Sequence, residues 1–195
     1  MTPRFAKLAR STTETEISVS VNLDGTGMSE IRTGIGFLDH MLGALAKHSR
    51  VDVELICRGD LEVDDHHTAE DCALAFGEAI DQALAKRVGF ARFGSAYAPL
   101  DESLARAVVD LSGRPCAVID LGLTRESLGG LASENILHVF RSLAVAIRGA
   151  IHVDVLRGEN DHHRAEAAFK ALALALRVAM ARTDDSQVPS TKGVL

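Results

Sequence analysis

The feature that most constrains this chain is a five-residue pattern that occurs twice. His66-His67-Thr68-Ala69-Glu70 and His162-His163-Arg164-Ala165-Glu166 share the form HHxxE, and each opens an alanine-rich run with apolar residues at helical spacing. On a helix His66 and Glu70 stand i,i+4 and His67 and Glu70 stand i,i+3, so one turn carries imidazoles and a carboxylate toward a common region. Asp64 and Asp65 precede the first pair and Asp161 the second. Imidazole nitrogen with carboxylate oxygen suits borderline divalent ions such as Zn, Mn, Fe or Co. One copy alone would fit an exposed helix start satisfied by water; two copies in equivalent contexts argue against that. HExxH is absent, so a metalloprotease is not indicated.

The surroundings repeat too. Ile17, Val19, Val21 and Leu23 alternate with polar residues as a half-buried strand, Asp24-Gly25 reads as a turn, and a return strand through Ile31 would close a hairpin. Residues 1–13 are expected to be loose. Leu38, Met41, Leu42 and Leu45 form a helical stripe, with His40 in the first turns and His48 near the end, where a solvated or capping role is simplest. Val51 to Cys57 alternates as a strand, Leu61 and Val63 suggest a short continuation, and a helix is predicted from about Thr68 to Lys86. In the second half Leu104 to Leu111 is strand-like, residues 112–115 are a turn, and Cys116 to Leu121 is the return strand. Leu123 to Ser133 reads as a loop, Glu134 to Ile147 as a helix carrying His138, Ile151 to Val155 as a strand, and a last helix ends near Arg182. Hairpin, helix, strand and HHxxE helix thus recur, which predicts an internally duplicated α/β fold with repeats at 1–94 and 95–195.

His40 precedes His66 by 26 residues and His138 precedes His162 by 24. Each comes from a separate helix and could close a site that one HHxxE turn cannot. Three imidazoles and one carboxylate per ion would leave up to two open positions in an octahedral ion, which implies catalysis or substrate ligation. The ligands of one site need not come from one subunit.

The 195 residues are 47% hydrophobic, enough for a real core, and carry a formal charge of -6. That charge speaks against a broad nucleic-acid footprint but leaves room for a local anion pocket. Arg92 in a Gly-flanked loop, Arg114 in a tight turn, Lys170 one turn past Glu166, and Ser190 and Lys192 in the tail are the candidates. Singly, each reads as surface solvation, and no GxxxxGK[ST] cradle is present. Glu14, Asp101 and Glu102 are the carboxylates to weigh for proton transfer; on pattern alone they too read as surface groups. Cys57, Cys72 and Cys116 are odd in number and widely spaced, as in reduced core residues of a cytosolic protein. Arg4, Lys7 and Arg10 are followed by no apolar signal segment, and the apolar run 165–181 is broken by Glu166, Lys170 and Arg177, so no membrane span is expected. These residues leave a metal-dependent lyase, a metal-dependent hydrolase and a metal-storage or assembly protein all open.

An ordered set of motifs over almost the whole chain narrows this. Residues 23–27 (LDGTG), 36–42 (GFLDHML), 64–71 (DDHHTAED), 92–94 (RFG), 99–102 (PLDE), 110–115 (DLSGRP), 158–163 (GENDHH) and 189–193 (PSTKG) together resemble the imidazoleglycerol-phosphate dehydratase family of histidine biosynthesis. The resemblance implies a duplicated unit of four-stranded sheets with helices on one face, similar to the second domain of ribosomal protein S5. It implies a cytoplasmic homo-oligomer of 24 subunits, with no nucleic-acid or membrane partner. It implies two manganese ions per active site, bound by His40, His66, His67, Glu70, His138, His162, His163 and Glu166 from neighbouring subunits. Arg92, Arg114, Lys170, Ser190 and Lys192 match positions associated with the substrate phosphate. Glu14 matches a carboxylate proposed for proton transfer, and Asp101 a second acidic position near the substrate. Leu137 departs from relatives that carry an acidic residue just before this histidine. The implied reaction removes water from imidazole glycerol phosphate to give imidazole acetol phosphate. No carbonyl adjoins the C2 hydrogen, so the imidazole ring is the only electron relay available.

Overall fold

The strands of the two halves hydrogen-bond in the same order. In the computed structural model, which describes residues 3–184 and 187–193, β1 (Phe5–Ser11), β2 (Thr15–Asn22), β3 (Ser29–Arg32) and β4 (Asp52–Gly59) form a sheet of order β1-β2-β4-β3. β5 (Phe93–Leu100), β6 (Ser103–Asp110), β7 (Cys116–Asp120) and β10 (Ala150–Arg157) form a second, of order β5-β6-β10-β7. In each, the two hairpin strands and the next are antiparallel, and the edge strand lies parallel to its neighbour. A parallel neighbour requires a crossover. Helix α1 (Gly36–Ser49) supplies it between β3 and β4, and α3 (Ser133–Ile147) between β7 and β10. Both helices end on a left-handed residue, Arg50 and Arg148, another trace of the duplication. The two HHxxE segments open α2 (His66–Leu84) and α4 (Asp161–Ala179).

Alternation in β2, β4 and β6 turns one face of each sheet inward, and the helices cover that face. The helices of one half then pack on those of the other, α1 on α4 and α2 on α3. One contiguous apolar cluster runs through both halves, and Phe76, Phe140 and Phe169 are its largest fully buried side chains. Gly77 permits the α2–α3 approach: a Cβ there would sit 2.6 Å from Ala146 Cβ. The helix starts of one half are thereby brought beside those of the other.

Several local readings are corrected. Residues 1–13 are not loose throughout, because β1 pairs with β2 along its whole length. Neither Ile31 nor Cys116–Leu121 belongs to a return strand of a hairpin; β3 and β7 reach past the adjacent strand to pair in parallel with β4 and β10. Leu61 and Val63 lie in a turn closed by Val63 N–H on Asp60 O, and both are exposed. The 123–133 loop contains a minimal hairpin, β8 (Ser127–Leu128) and β9 (Leu131–Ala132). β5 has no counterpart in the periodicity reading, since its small residues Gly94, Ser95, Ala96 and Ala98 give little apolar contrast. Cys57 and Cys72 are buried as expected, but Cys116 is exposed at the start of an edge strand. Among the described residues no helix is long and apolar enough to cross a membrane.

Candidate metal centres

Each HHxxE turn is held at its start in the same way. Asp64 Oδ1 accepts from His66 N–H at 2.8 Å and Asn160 Oδ1 accepts from His162 N–H at 2.9 Å, so a side chain two residues earlier holds each turn, as the N-cap in α4 and one residue before the N-cap in α2. The next residue in each half ties the turn to the 123–133 segment. Asp65 Oδ2 accepts from Ala132 N–H, and Asp161 Oδ2 from Thr124 and Arg125 N–H.

The tertiary pairing crosses the repeats. His66 and Glu70 of the first half meet His138 of the second; His162 and Glu166 of the second meet His40 of the first. In each group one ligand atom per residue lies within 4.8 Å of the others. His138 Nε2 is enclosed 3.2 Å from Glu70 Oε1 yet makes no hydrogen bond, so the two potential ligand atoms face a common space without satisfying each other. His66 Nε2 lies 3.8 Å from Glu70 Oε2 on the other side. In the second group Glu166 Oε2 is 3.2 Å from both His40 Nε2 and His162 Nε2. Two imidazoles and a carboxylate converging in this way fit a borderline divalent ion.

His67 and His163 turn away from these groups, because adjacent helical residues are about 100° apart. His67 Nδ1 lies 3.0 Å from Asp60 Oδ2, and its Nε2 is 3.7 Å from Glu14 Oε1. His163 Nδ1 lies 2.8 Å from Glu102 Oε2, and its Nε2 is 3.8 Å from Asp101 Oδ2. Asp60 raises the His67 pKa and Glu102 raises that of His163. Glu14 and Asp101, the two proton-transfer candidates, thus occupy matched places in the β1–β2 and β5–β6 turns, each beside the second histidine of an HHxxE turn. Asp101 adopts φ +47 there.

The phosphate candidates are dispersed. Lys170 Nζ is 2.7 Å from Glu166 Oε1, inside the second group. Burial pushes the Glu166 carboxyl up, but Lys170 and then His40 outweigh it and hold it below its ordinary value. Arg92 gives Nε and Nη2 to Asp110 and Nη1 to Pro189 O at 2.6 Å, which anchors the tail carrying Ser190 and Lys192. Arg114 and Lys192 are exposed and Ser190 is half-buried. Pattern reading passed over Asn135, which is 4% exposed and whose Oδ1 lies 2.9 Å from His66 Nδ1. It also passed over Asp60. Asn135 stands three residues before His138, one turn away, which is the spacing that could have drawn attention to it.

Fold and site together define a class: duplicated α/β proteins whose two repeats exchange a histidine to build a pair of His/Glu centres. The imidazoleglycerol-phosphate dehydratase family model matches residues 33–176. The chain is 62% identical over 192 residues to an imidazoleglycerol-phosphate dehydratase of Phytophthora nicotianae, covering 98% of this chain but 42% of that relative. It is 56% identical over 197 residues to the one from Phaffia rhodozyma, covering 98% and 96%. Crystal structures of the enzymes from Staphylococcus aureus subsp. aureus N315 and Pyrococcus furiosus are also similar. The first gives a TM-score of 0.83 at 35% identity over 92% of this chain and 99% of that one. The second gives 0.84 at 39% identity, covering 96% and 100%. The chain belongs to the imidazoleglycerol-phosphate dehydratase family, which are hydro-lyases.

Proposed function

We propose that this chain dehydrates imidazole glycerol phosphate to imidazole acetol phosphate in histidine biosynthesis, in the cytoplasm, with two manganese ions per active site. The observation that carries the metal dependence is the convergence of His66, Glu70 and His138, and of His40, His162 and Glu166, while His67 and His163 point elsewhere. Each group then lacks one imidazole that a neighbouring copy can supply. This supports a homo-oligomer, of 24 subunits by the family resemblance, in which the sites are completed across interfaces. When bound, the divalent ions supply electrostatic stabilisation of the charge that develops on the imidazole ring.

The chain's own residues do the rest. Overall, the C3 hydroxyl and the C2 hydrogen leave as water, and the resulting enol tautomerises to the ketone. Glu14 accepts the C2 proton, with Asp101 the alternative; both are exposed carboxylates. Arg114, Ser190 and Lys192 bind the phosphate by charge-assisted hydrogen bonds. Arg92 supports that site by holding the tail at Pro189, and Lys170 lies at the side of the Glu166 group. Glu14→Gln should retain manganese and substrate binding and lose about two or more orders of magnitude in kcat. Near-normal turnover in that variant rejects Glu14 and moves the role to Asp101, tested by Asp101→Asn. Manganese-loaded wild-type protein that leaves the substrate unchanged would overturn the whole reading.

A further inference from the structure

The two centres are related by the repeat, but their surroundings differ at two equivalent positions. Three residues before His138 stands Asn135, whose Oδ1 lies 2.9 Å from His66 Nδ1. Three residues before His40 stands Phe37, whose ring meets that of His162 edge-on, with centroids 5.2 Å apart. The same slot thus holds an amide oxygen in one centre and an apolar ring in the other. The second difference lies on the HHxxE helices. Four residues after Glu166, Lys170 places its ammonium 2.7 Å from Glu166 Oε1, the oxygen turned away from His40 and His162. Four residues after Glu70 stands Leu74, which has no charge to offer.

Both differences act in one direction. An oxygen that accepts from Nδ1–H fixes the tautomer that leaves Nε2 free as a ligand, orients the ring and raises its basicity. A lysine on a ligand carboxylate neutralises part of its charge and repels an incoming dication. His67 and His163 do not share the asymmetry, since each has a carboxylate at Nδ1, Asp60 for His67 and Glu102 for His163.

Resting on the metal-dependent reading above, we propose that the two centres bind divalent ions unequally. His66, Glu70 and His138 form the tight centre that fills first, and Asn135 is its positioning residue. His40, His162 and Glu166 form the weaker, exchangeable centre, and Lys170 is the residue that weakens it.

The test withdraws manganese from the loaded protein with a graded chelator and follows free Mn2+ by electron paramagnetic resonance. Release should occur in two steps of one equivalent per chain. Asn135→Leu should weaken the tight step by about 10–100-fold, the range for loss of a group that orients a metal-bound histidine. Asn135→Asp keeps an acceptor oxygen and should restore it; a merely structural role would move both steps together. Lys170→Leu installs the first half's residue and should tighten the weak step by about tenfold, the low end of what a neighbouring unit charge does to a carboxylate's affinity for a cation. A single step releasing two equivalents, or a weak step that Lys170→Leu leaves in place, overturns the proposal. Should Asn135→Leu not fold, the Lys170 variant decides alone. Wild-type protein that holds no manganese at all would instead refute the metal-dependent reading on which the proposal rests.

Discussion

Replacing Arg87 by methionine tests how the α2–α3 pair is clamped. Arg87 follows α2 and is 5% exposed. Its Nε and Nη2 donate to Asp81, Nη2 also donates to Ile147 O at the end of α3, and Nη1 donates to Leu111 O at 2.8 Å, just past β6. Methionine fills much of the volume and offers no donor. Two carbonyls would lose this donor, and Asp81 would keep Arg148 Nη1 at 3.5 Å. Removing one partner of a buried ion pair costs about 3–5 kcal/mol. Each abandoned carbonyl adds about 1–3 kcal/mol unless water replaces the donor. Asp81 retains 19% side-chain exposure, so water recovers part of the loss. About 4 kcal/mol is therefore a fair working figure. At about 2–4 °C per kcal/mol for a chain of this size, Tm should fall by about 8–16 °C. The assay is thermal unfolding by circular dichroism at fixed protein and metal concentration, since binding and assembly shift Tm. Adding Asp81→Asn should recover part of the loss, because the uncompensated carboxylate is a large part of the penalty. A fall under about 3 °C, no more than the loss of one ordinary hydrogen bond predicts, would refute the reasoning. The clamp sits at the C-terminal ends of α2 and α3 and the ligands near their N-terminal ends. Manganese affinity well below Tm should therefore stay unchanged.

Phe169→Ala should cost about 3–5 kcal/mol in urea unfolding, because Phe169 is fully buried and its ring lies 4.4 Å from that of Phe140. Asp24 is held well below the usual carboxylate range, chiefly by hydrogen bonds from Arg182 and, after an opposing effect of burial, by Arg4. Because its folded pKa is depressed, the stability it contributes is present above the ordinary value of about 3.9 and is lost as pH falls through the folded pKa. Asp24→Asn should therefore lower the urea midpoint at pH 7 and make the decline below about pH 4 shallower; unchanged acid sensitivity would count against the linkage. On the proposed assembly, chelation should yield smaller species by light scattering, and a particle of unchanged size without metal would sever assembly from metal binding.

Local periodicity carried much of the fold because neighbours along the chain decide it. The alternation of Ile17, Val19 and Val21 and the stripe of Leu38, Met41 and Leu42 each need only their own segment to specify strand or helix, and all six are buried. The matched HHxxE turns made the duplication legible for the same reason. β1 and β5 were less legible because their inward residues are few and small, Ala6 in one and Ala98 in the other. The parallel pairing of β3 and β7 was illegible because a turn after β2 or β6 carries no mark of which strand the next one will join.

By itself, then, the sequence determined a twice-repeated α/β unit and the residue types available for metal, proton transfer and phosphate. Only the tertiary structure decided how they combine. Packing α1 on α4 and α2 on α3 hands His40 to the second HHxxE turn and His138 to the first. The 100° between neighbouring helical residues then sends His66 toward Glu70 and His138, and His67 away from them toward Asp60 and Glu14. Spacing along a chain records which groups can share a turn. Which group from another helix completes the site depends on the face that each helix buries, and that is settled by the shared apolar core.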